Sequence, residues 1–282
     1  MIDVDRTKTL LDALPDDFSR NMVEGALRVA SDTENAMRAH FFAGGWRELM
    51  NHVLRKFAPH KEVRACDWFE QVAGTNGITR RQRARYATQG GLSDAYLAEI
   101  GVDVSDLHDE ALSAIEALNA AVHVQEGQSI EGDEDIAAFV ERAISAFEGL
   151  LHSFAHCREA VVNQLRNSVY DNTMRAFVEK TFDEIDLISS HGYEVDPWLT
   201  IEEIDIVDIS ATALLVKVAG EAPVTLHYGR GNDAVATGHS FPFTMTFSAP
   251  LDALSELTLE AHEIDDSSWY GVDEEVSDDP VA

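Results

Sequence analysis

Four arginines stand within six residues of one short segment, and arginine is the side chain best suited to bind phosphate. They are Arg80, Arg81, Arg83 and Arg85, in the stretch ITRRQRARYATQGGLSD. On a helix, Arg81 and Arg85 share one face, and Arg80 and Arg83 share a neighbouring one. Because a guanidinium can bind a phosphate through paired hydrogen bonds, these side chains could follow a nucleic-acid backbone. The alternative is that they pair with the many carboxylates of the same chain.

Three further residues could take part in phosphodiester chemistry. Arg47 and His52 form the pattern Arg-x4-His, and His123 follows in the stretch AIEALNAAVHV. A histidine can act as a general acid or base near neutral pH, and an arginine can stabilise charge developing on phosphorus. The alternative for His123 is to cap carbonyl groups at a helix end. The Arg-x4-His spacing recurs at Arg55 and His60, so it discriminates little.

Other catalytic signatures are missing from the sequence. His152 and His156 are one helical turn apart, but no second pair of ligands accompanies them. Mg²⁺ could be held either by Asp183, Glu184 and Asp186 or by Asp205 and Asp208, although surface carboxylates without a metal are commoner in so acidic a region. There is no phosphate-binding GxxxxGK[ST] loop and no GxSxG motif. We therefore predict neither a metal site nor a cofactor.

The charge of the chain is strongly negative and unevenly distributed. The 51 Asp and Glu residues against 21 Lys and Arg residues give a formal net charge of −30. Residues 181–282 hold 22 of the acids and two of the bases, a net charge of −20. Because such a surface repels polyanions, nucleic-acid contacts are expected in the first 180 residues. The acidic part could instead dock on a basic partner or mimic the charge of nucleic acid.

The sequence also favours a particular compartment. No run approaches the roughly 18 apolar residues of a membrane helix, and residues 1–17 carry acids and no apolar signal segment. Cys66 and Cys157 form no CxxC pair. These features predict a reduced, cytoplasmic protein without membrane contact.

The elements that must position these residues divide into helices followed by strands. Helical periodicity predicts the segments 18–30, 46–57, 80–89, 93–100, 107–122, 133–167 and 169–190. Alternating patterns then predict strands at 201–209, 214–218, 224–228, 241–247 and 257–261. The predicted fold class is α+β. We expect an α-helical domain at 1–191, a small antiparallel β domain at 192–262 and an acidic, mobile tail at 263–282.

Several blocks of the sequence resemble the prokaryotic family of predicted pPIWI-associating nucleases. The blocks are WRELMNHVLRKFAP (46–59), GITRRQRARYATQGGLSD (77–94), AIEALNAAVHV (114–124), YGRGNDAV (228–235) and SFPFTMTF (240–247). The resemblance extends over most of the chain. It implies a nuclease that acts in defence against phages and plasmids, together with a protein partner from the same defence operon.

The N-terminal half also resembles HEPN ribonucleases in layout. Arg47 lies on an early helix, and Asn119 and His123 lie near the end of a late one. The arginine of the late HEPN motif would fall at residues 116–118, where none is basic. Either Arg47 or the cluster at 80–85 then substitutes for it, or the activity is lost.

Together these observations predict metal-independent cleavage of RNA rather than DNA. Arg80, Arg81, Arg83 and Arg85 would bind the backbone, His123 and His52 would transfer protons, and Arg47 would stabilise the transition state. The alternative function is a non-catalytic module of a defence complex. Such a module would dock through its acidic β domain and form a homodimer through its helical domain.

Overall fold

The structure is a computed structural model that describes residues 4–123 and 130–270. The chain divides into two compact units. Unit 1 comprises Met1–Val161 and Ile209–Thr212, and unit 2 comprises Val162–Asp208 and Ala213–Ala282. Helices fill the N-terminal half and a five-stranded sheet follows, which confirms the predicted α+β class. Within residues 4–123 and 130–270, none of the helices combines the length and the hydropathy of a membrane-spanning segment.

Among the described residues, eight helices begin within the first half of the chain, and three of them start at a capping side chain that accepts a hydrogen bond from the backbone. The eight helices are α1 (Val4–Asp12), α2 (Asp17–Ser31), α3 (Arg38–Phe57), α4 (His60–Ala65), α5 (Arg80–Gln89), α6 (Asp94–Glu99), α7 (Ser105–Val122) and α8 (Asp133–Glu179). Asp16 caps α2, Thr79 caps α5 and Ser93 caps α6. The last two starts confirm the predictions from local sequence. Two helices, α1 and α4, were not predicted.

Helix α3 is central to unit 1, where it packs against α2, α5 and α7. Its Trp46 is fully buried, with its ring stacked on Phe42 and edge-on to Phe147. The indole N–H of Trp46 donates to the carbonyl of Ala143 at 3.2 Å. This core fixes the orientation of α3 and therefore the surface that carries Arg47.

Helix α8 is longer than predicted. We expected a break between residues 167 and 169, but the helix continues to Glu179 because the sequence from 150 to 179 contains neither Gly nor Pro. Asn172 and Thr173 donate to carbonyls one turn back instead of ending the helix. A short helix, α9 (Asp183–Asp186), follows. The two units divide within α8, and the predicted boundary near residue 191 stays a prediction.

The sheet of unit 2 has five strands. They are β1 (Tyr193–Val195), β2 (Thr200–Ile209), β3 (Ala213–Tyr228), β4 (Val235–Pro250) and β5 (Thr258–Ile264). The strand order is β1-β3-β4-β5, and β2 also pairs with β3. Antiparallel pairing joins β1 to β3, β3 to β4 and β4 to β5. The Phe177 ring of α8 contacts the Phe243 ring of β4 edge-on, so the last part of that helix covers the apolar face.

Two predicted strands are one strand in the structure. Residues 214–218 and 224–228 both belong to β3, although Gly220 and Pro223 lie between them. A Cβ atom at Gly220 would lie 2.0 Å from the carbonyl oxygen of Thr200. Glycine therefore permits the close approach of β2 and does not interrupt the strand.

The predicted acidic tail begins within an element of the sheet. Glu263 and Ile264 belong to β5, and Ser267–Tyr270 forms a short helix, α10. Residues 271–282 lie outside the described residues, so the mobility of the tail stays a prediction.

Candidate nucleic-acid interface

The arginine-rich helix α5 is fixed at both ends. Thr79 and Gln82 form a reciprocal capping box at its start. At its end, Gly90 has φ +58°, and a Cβ atom there would lie 2.0 Å from the carbonyl oxygen of Ile209. Only glycine fits this position without strain. Since α5 packs against α3 and α7, its arginines are presented beside both helices.

Two of the four arginines are paired with carboxylates. Arg81 forms an ion pair with Asp109 of α7, and Arg85 pairs with Asp94 at 2.8 Å. The Arg85 guanidinium also lies 4.2 Å from the centre of the Trp68 ring, which adds a cation–π contact. For these two residues the structure agrees with the alternative interpretation, in which the protein's own acids neutralise its arginines.

The other two arginines contact neutral groups. Arg80 Nε donates to Asn51 Oδ1 at 3.0 Å, and Arg83 donates to the carbonyl of Ala58. Burial lowers the pKa of Arg83, and the nearby positive charge of Arg55 lowers it further. Within the part of the chain that the structure describes, Arg55, Arg80 and Arg83 form no ion pair with a carboxylate.

Helix α3 extends this positive surface. Arg47, Asn51 and Arg55 recur at intervals of four residues and therefore lie along one face. Asn51 contacts Arg80, so the structure brings Arg47 to the same side of unit 1 as Arg80 and Arg83. We call Arg47, Arg55, Arg80 and Arg83 the arginine surface. Sequence reasoning did not identify Asn51 and noted Arg55 only as a second match to the Arg-x4-His spacing, although the four-residue intervals from Arg47 were a usable signal.

Arg47 itself has a local partner. Its Nη2 atom lies 2.7 Å from the carboxylate of the adjacent Glu48, and its side chain is a quarter exposed. An ion pair between neighbouring, partly exposed side chains contributes about 0–1 kcal/mol, so a phosphate could displace Glu48 at small cost.

His52 lies on another face of α3. Its Nε2 atom is 3.0 Å from Asp16 Oδ2, and its ring lies tilted against the ring of Phe18. Hydrogen bonds from the Ser19 backbone and from His52 hold the pKa of the Asp16 carboxyl well below its usual range. His52 follows Asn51 directly, and successive residues of a helix are rotated by about 100° around its axis. The His52 side chain therefore lies on the face next to the one that carries Asn51.

His123 lies far from the arginines of α5. It is exposed and follows the last residue of α7, where its backbone N–H donates to Ala120 at 3.3 Å. Asp109, the partner of Arg81, precedes it by fourteen residues, or about 21 Å along the helix. This helix end lies against the start of α3, where the His40 ring is 2.6 Å from the Ala121 carbonyl and a Cβ atom at Gly44 would lie 4.0 Å from Val122 Cγ2. The structure therefore does not bring His123 together with the α5 arginines.

A groove runs between α5 and α7 with a volume of about 480 Å³. Arg80 and Arg81 line one wall, and Asp109, Ser113 and Glu116 line the other. The groove therefore carries charges of both signs. Two other arginines without a described carboxylate partner, Arg55 and Arg83, lie on the side of Arg80 that faces α3. Among residues 4–123 and 130–270, no group of three or more His, Cys, Asp and Glu side chains is placed to hold a metal ion.

The sequence was compared with protein families, with curated proteins and with solved structures. Two family models, both described as predicted pPIWI-associating nuclease, match residues 11–147 and 154–270. The chain belongs to this family. No curated protein and no solved structure matches it. The predicted resemblance is therefore confirmed, whereas the HEPN-like layout stays a prediction.

This predicted pPIWI-associating nuclease also contains a buried polar network that the sequence did not reveal. His108 Nε2 lies 2.8 Å from Thr88 Oγ1, which in turn lies 3.0 Å from Ser153 Oγ. All three side chains are buried. Burial lowers the pKa of His108 to about 4, and the positive charge of Arg81 contributes to this shift. The network joins α5, α7 and α8 beneath the ion pair of Arg81 with Asp109.

His108 predicts a pH dependence of stability for this family member. The unfolded chain takes up the proton at the ordinary pKa of 6.5, whereas the folded protein does so only near 4. Stability is therefore lost as the pH falls below 6.5. Between pH 7 and pH 5 we expect this one histidine to cost about 2 kcal/mol of unfolding free energy.

Urea denaturation at the two pH values measures this cost. His108→Gln should remove about 2 kcal/mol of the difference between them. His152→Gln, at an exposed histidine of α8, should leave the difference unchanged. An unchanged pH dependence in His108→Gln would contradict the assignment.

Proposed function

We propose that the protein is a cytoplasmic nuclease that cleaves RNA without a metal, as part of a prokaryotic defence against phages and plasmids. The observation that supports the proposal is the arginine surface. Arg55, Arg80 and Arg83 lie together without a carboxylate partner among the described residues, in a chain of net charge −30. Such a patch binds phosphates locally while the rest of the molecule repels them. The family description supports nuclease activity.

The proposed roles follow from positions on α3 and α5. Arg80 and Arg83 bind the RNA backbone, and Arg47 stabilises the charge that develops on phosphorus. Of the two candidate histidines, His52 lies on α3 itself, on the face next to the one that carries Asn51, whereas His123 lies about 21 Å along α7 from the partner of Arg81. We therefore assign to His52 the removal of the proton from the attacking 2′-hydroxyl, while the bond from phosphorus to the 5′-oxygen breaks and the leaving 5′-oxygen takes a proton from water. Asp16 orients its ring, as a carboxylate commonly does for a catalytic histidine.

The salt dependence of RNA binding tests the arginine surface. For single strands, log K falls with log salt by about 0.7 for each phosphate contact. Arg80→Ala with Arg83→Ala should therefore reduce the slope by about 1.4. Fluorescence anisotropy of a labelled RNA oligonucleotide, titrated at several salt concentrations, measures it.

The matched control changes two arginines that also lack a described carboxylate partner. These are Arg28 and Arg142, on α2 and α8 of the same unit. Their replacement by alanine changes the net charge equally and should leave the slope within error of the wild type. Equal slopes for the two double variants would reject the arginine surface as the binding site.

A second candidate function is a non-catalytic docking module. It is favoured by the composition of residues 181–282, which hold 22 acids and two bases. Four of these acids are exposed on β2, namely Glu202, Glu203, Asp205 and Asp208. The family description names association with pPIWI, which implies a protein partner. A protein that cleaves no RNA or DNA, with or without Mg²⁺, yet binds such a partner in a salt-sensitive manner, would support the module.

A further inference from the structure

A second group of basic and aromatic side chains lies at one end of the sheet in unit 2. Arg230 is one of the two basic residues in 181–282. Its Nε atom donates to His191 Nε2 at 2.6 Å, and His191 Nδ1 lies 2.9 Å from Ser190 Oγ. Neither Arg230 nor His191 pairs with a carboxylate of the described residues. Among the described residues, therefore, no carboxylate occupies the two Nη atoms of Arg230.

The backbone around Arg230 is fixed by a tight turn between β3 and β4. Gly229 has φ +69°, and a Cβ atom there would lie 2.2 Å from the carbonyl oxygen of Asp233. The N–H of Asp233 donates to the carbonyl of Arg230 at 3.2 Å. The Asp233 side chain does not pair with the guanidinium. The turn therefore presents Arg230 at a defined position.

Three aromatic side chains of the same unit form a contacting group that includes Tyr228, at the end of β3. Tyr228 precedes Arg230 by two residues, and its ring is within 10° of parallel to the ring of Trp269, at 6.4 Å between centroids. Trp269 also contacts His239 edge-on at 5.3 Å. His239 Nε2 lies 3.1 Å from Ser268 Oγ, which holds the imidazole against α10. All three rings are partly exposed.

We propose that Arg230, His191, Tyr228, Trp269 and His239 bind one nucleotide of a single-stranded nucleic acid. We call these residues the nucleotide cluster. The guanidinium contacts a phosphate, and the base stacks on the aromatic rings. Stacking tolerates any base, because every base has a π face, and it does not depend on the net charge of the protein. This explains how an acidic unit can still hold a polyanion at one point.

This inference goes beyond the proposed cleavage, since it concerns recognition alone. The nucleotide cluster belongs to unit 2 and the arginine surface to unit 1. Each can therefore be removed separately, and the failure of one proposal leaves the other testable.

The experiment measures binding of a fluorescein-labelled oligouridylate by the full-length protein, in a background carrying Arg80→Ala and Arg83→Ala. Arg230→Ala and Trp269→Ala should each raise Kd roughly tenfold, which is the usual range for a lost phosphate or stacking contact. Arg230→Ala should also reduce the salt slope, whereas Trp269→Ala should lower affinity without changing it. A variant that fails to fold would change Kd, the salt slope and the circular dichroism spectrum together.

Two matched controls in the same unit accompany these variants. Arg175→Ala removes an exposed arginine of α8, and Trp198→Ala removes a tryptophan that is 81% exposed. Both should bind like the background protein. The proposal is overturned if the cluster variants bind no more weakly than these controls, or if the background protein does not bind the oligouridylate. If Arg230→Ala weakens binding but the background changes do not, the cluster stands and the arginine surface fails.

Discussion

Replacing His52 by alanine is expected to slow RNA cleavage by a factor of about 10²–10⁴, the usual contribution of a positioned general base. The reason is that Asp16 holds the imidazole through Nε2, which leaves Nδ1 for the proton of the 2′-hydroxyl. RNA affinity should be unchanged, because the phosphate contacts are assigned to the arginines and all of these remain in the variant. Cleavage of a labelled RNA in the presence of EDTA, followed by gel electrophoresis, measures the rate.

Two comparisons separate catalysis from structural support. His156→Ala removes an exposed histidine of α8 and should cleave at the wild-type rate. Asp16→Asn keeps the cap position but weakens the orientation of the ring, so a smaller loss of rate is expected. If His52→Ala retains full activity, or if EDTA abolishes wild-type cleavage, the mechanism is wrong. Circular dichroism establishes that each variant is folded.

Replacing Trp46 by alanine is expected to lower the free energy of unfolding by about 3–5 kcal/mol. The side chain is fully buried between Phe42 and Phe147, so alanine leaves a cavity that the surrounding helices cannot fill. The carbonyl of Ala143 also loses its indole donor. Urea denaturation followed by far-ultraviolet circular dichroism measures the change.

Phenylalanine at the same position and an exposed aromatic residue in the same helix serve as controls. Trp46→Phe keeps most of the ring packing and should cost less than Trp46→Ala. Phe41→Ala, at a side chain that is 58% exposed, should change the unfolding free energy by no more than about 0.5 kcal/mol. A loss for Trp46→Ala as small as that for Phe41→Ala would mean that the core tolerates the cavity.

The features that the sequence predicts well are those encoded by neighbouring residues. Thr79 and Ser93 precede helices by the spacing that capping requires, and both caps are present. The bounds of α5 follow from Thr79 at one end and Gly90 at the other. The change from helical to alternating periodicity identifies the sheet for the same reason, since each strand carries its pattern in a few consecutive residues.

The features that could not be predicted depend on residues far apart in the chain. Nothing near Arg81 indicates that its partner is Asp109 of another helix. The distance between His123 and the α5 arginines follows from the packing of α7, which local spacing does not encode. Local sequence divides β3 into two predicted strands, 214–218 and 224–228, because the close approach of Thr200 to Gly220 appears only in three dimensions.

The uninterrupted course of α8 has a consequence for handling the protein. The two matched family segments are separated by residues 148–153, and this interval lies within a helix from Asp133 to Glu179. Proteases require an extended peptide in their active site, so the helix must unwind over several residues before it can be cut there. Limited digestion should therefore not release the two halves by nicking between them. Expressing either half separately therefore requires chain ends that lie outside this helix.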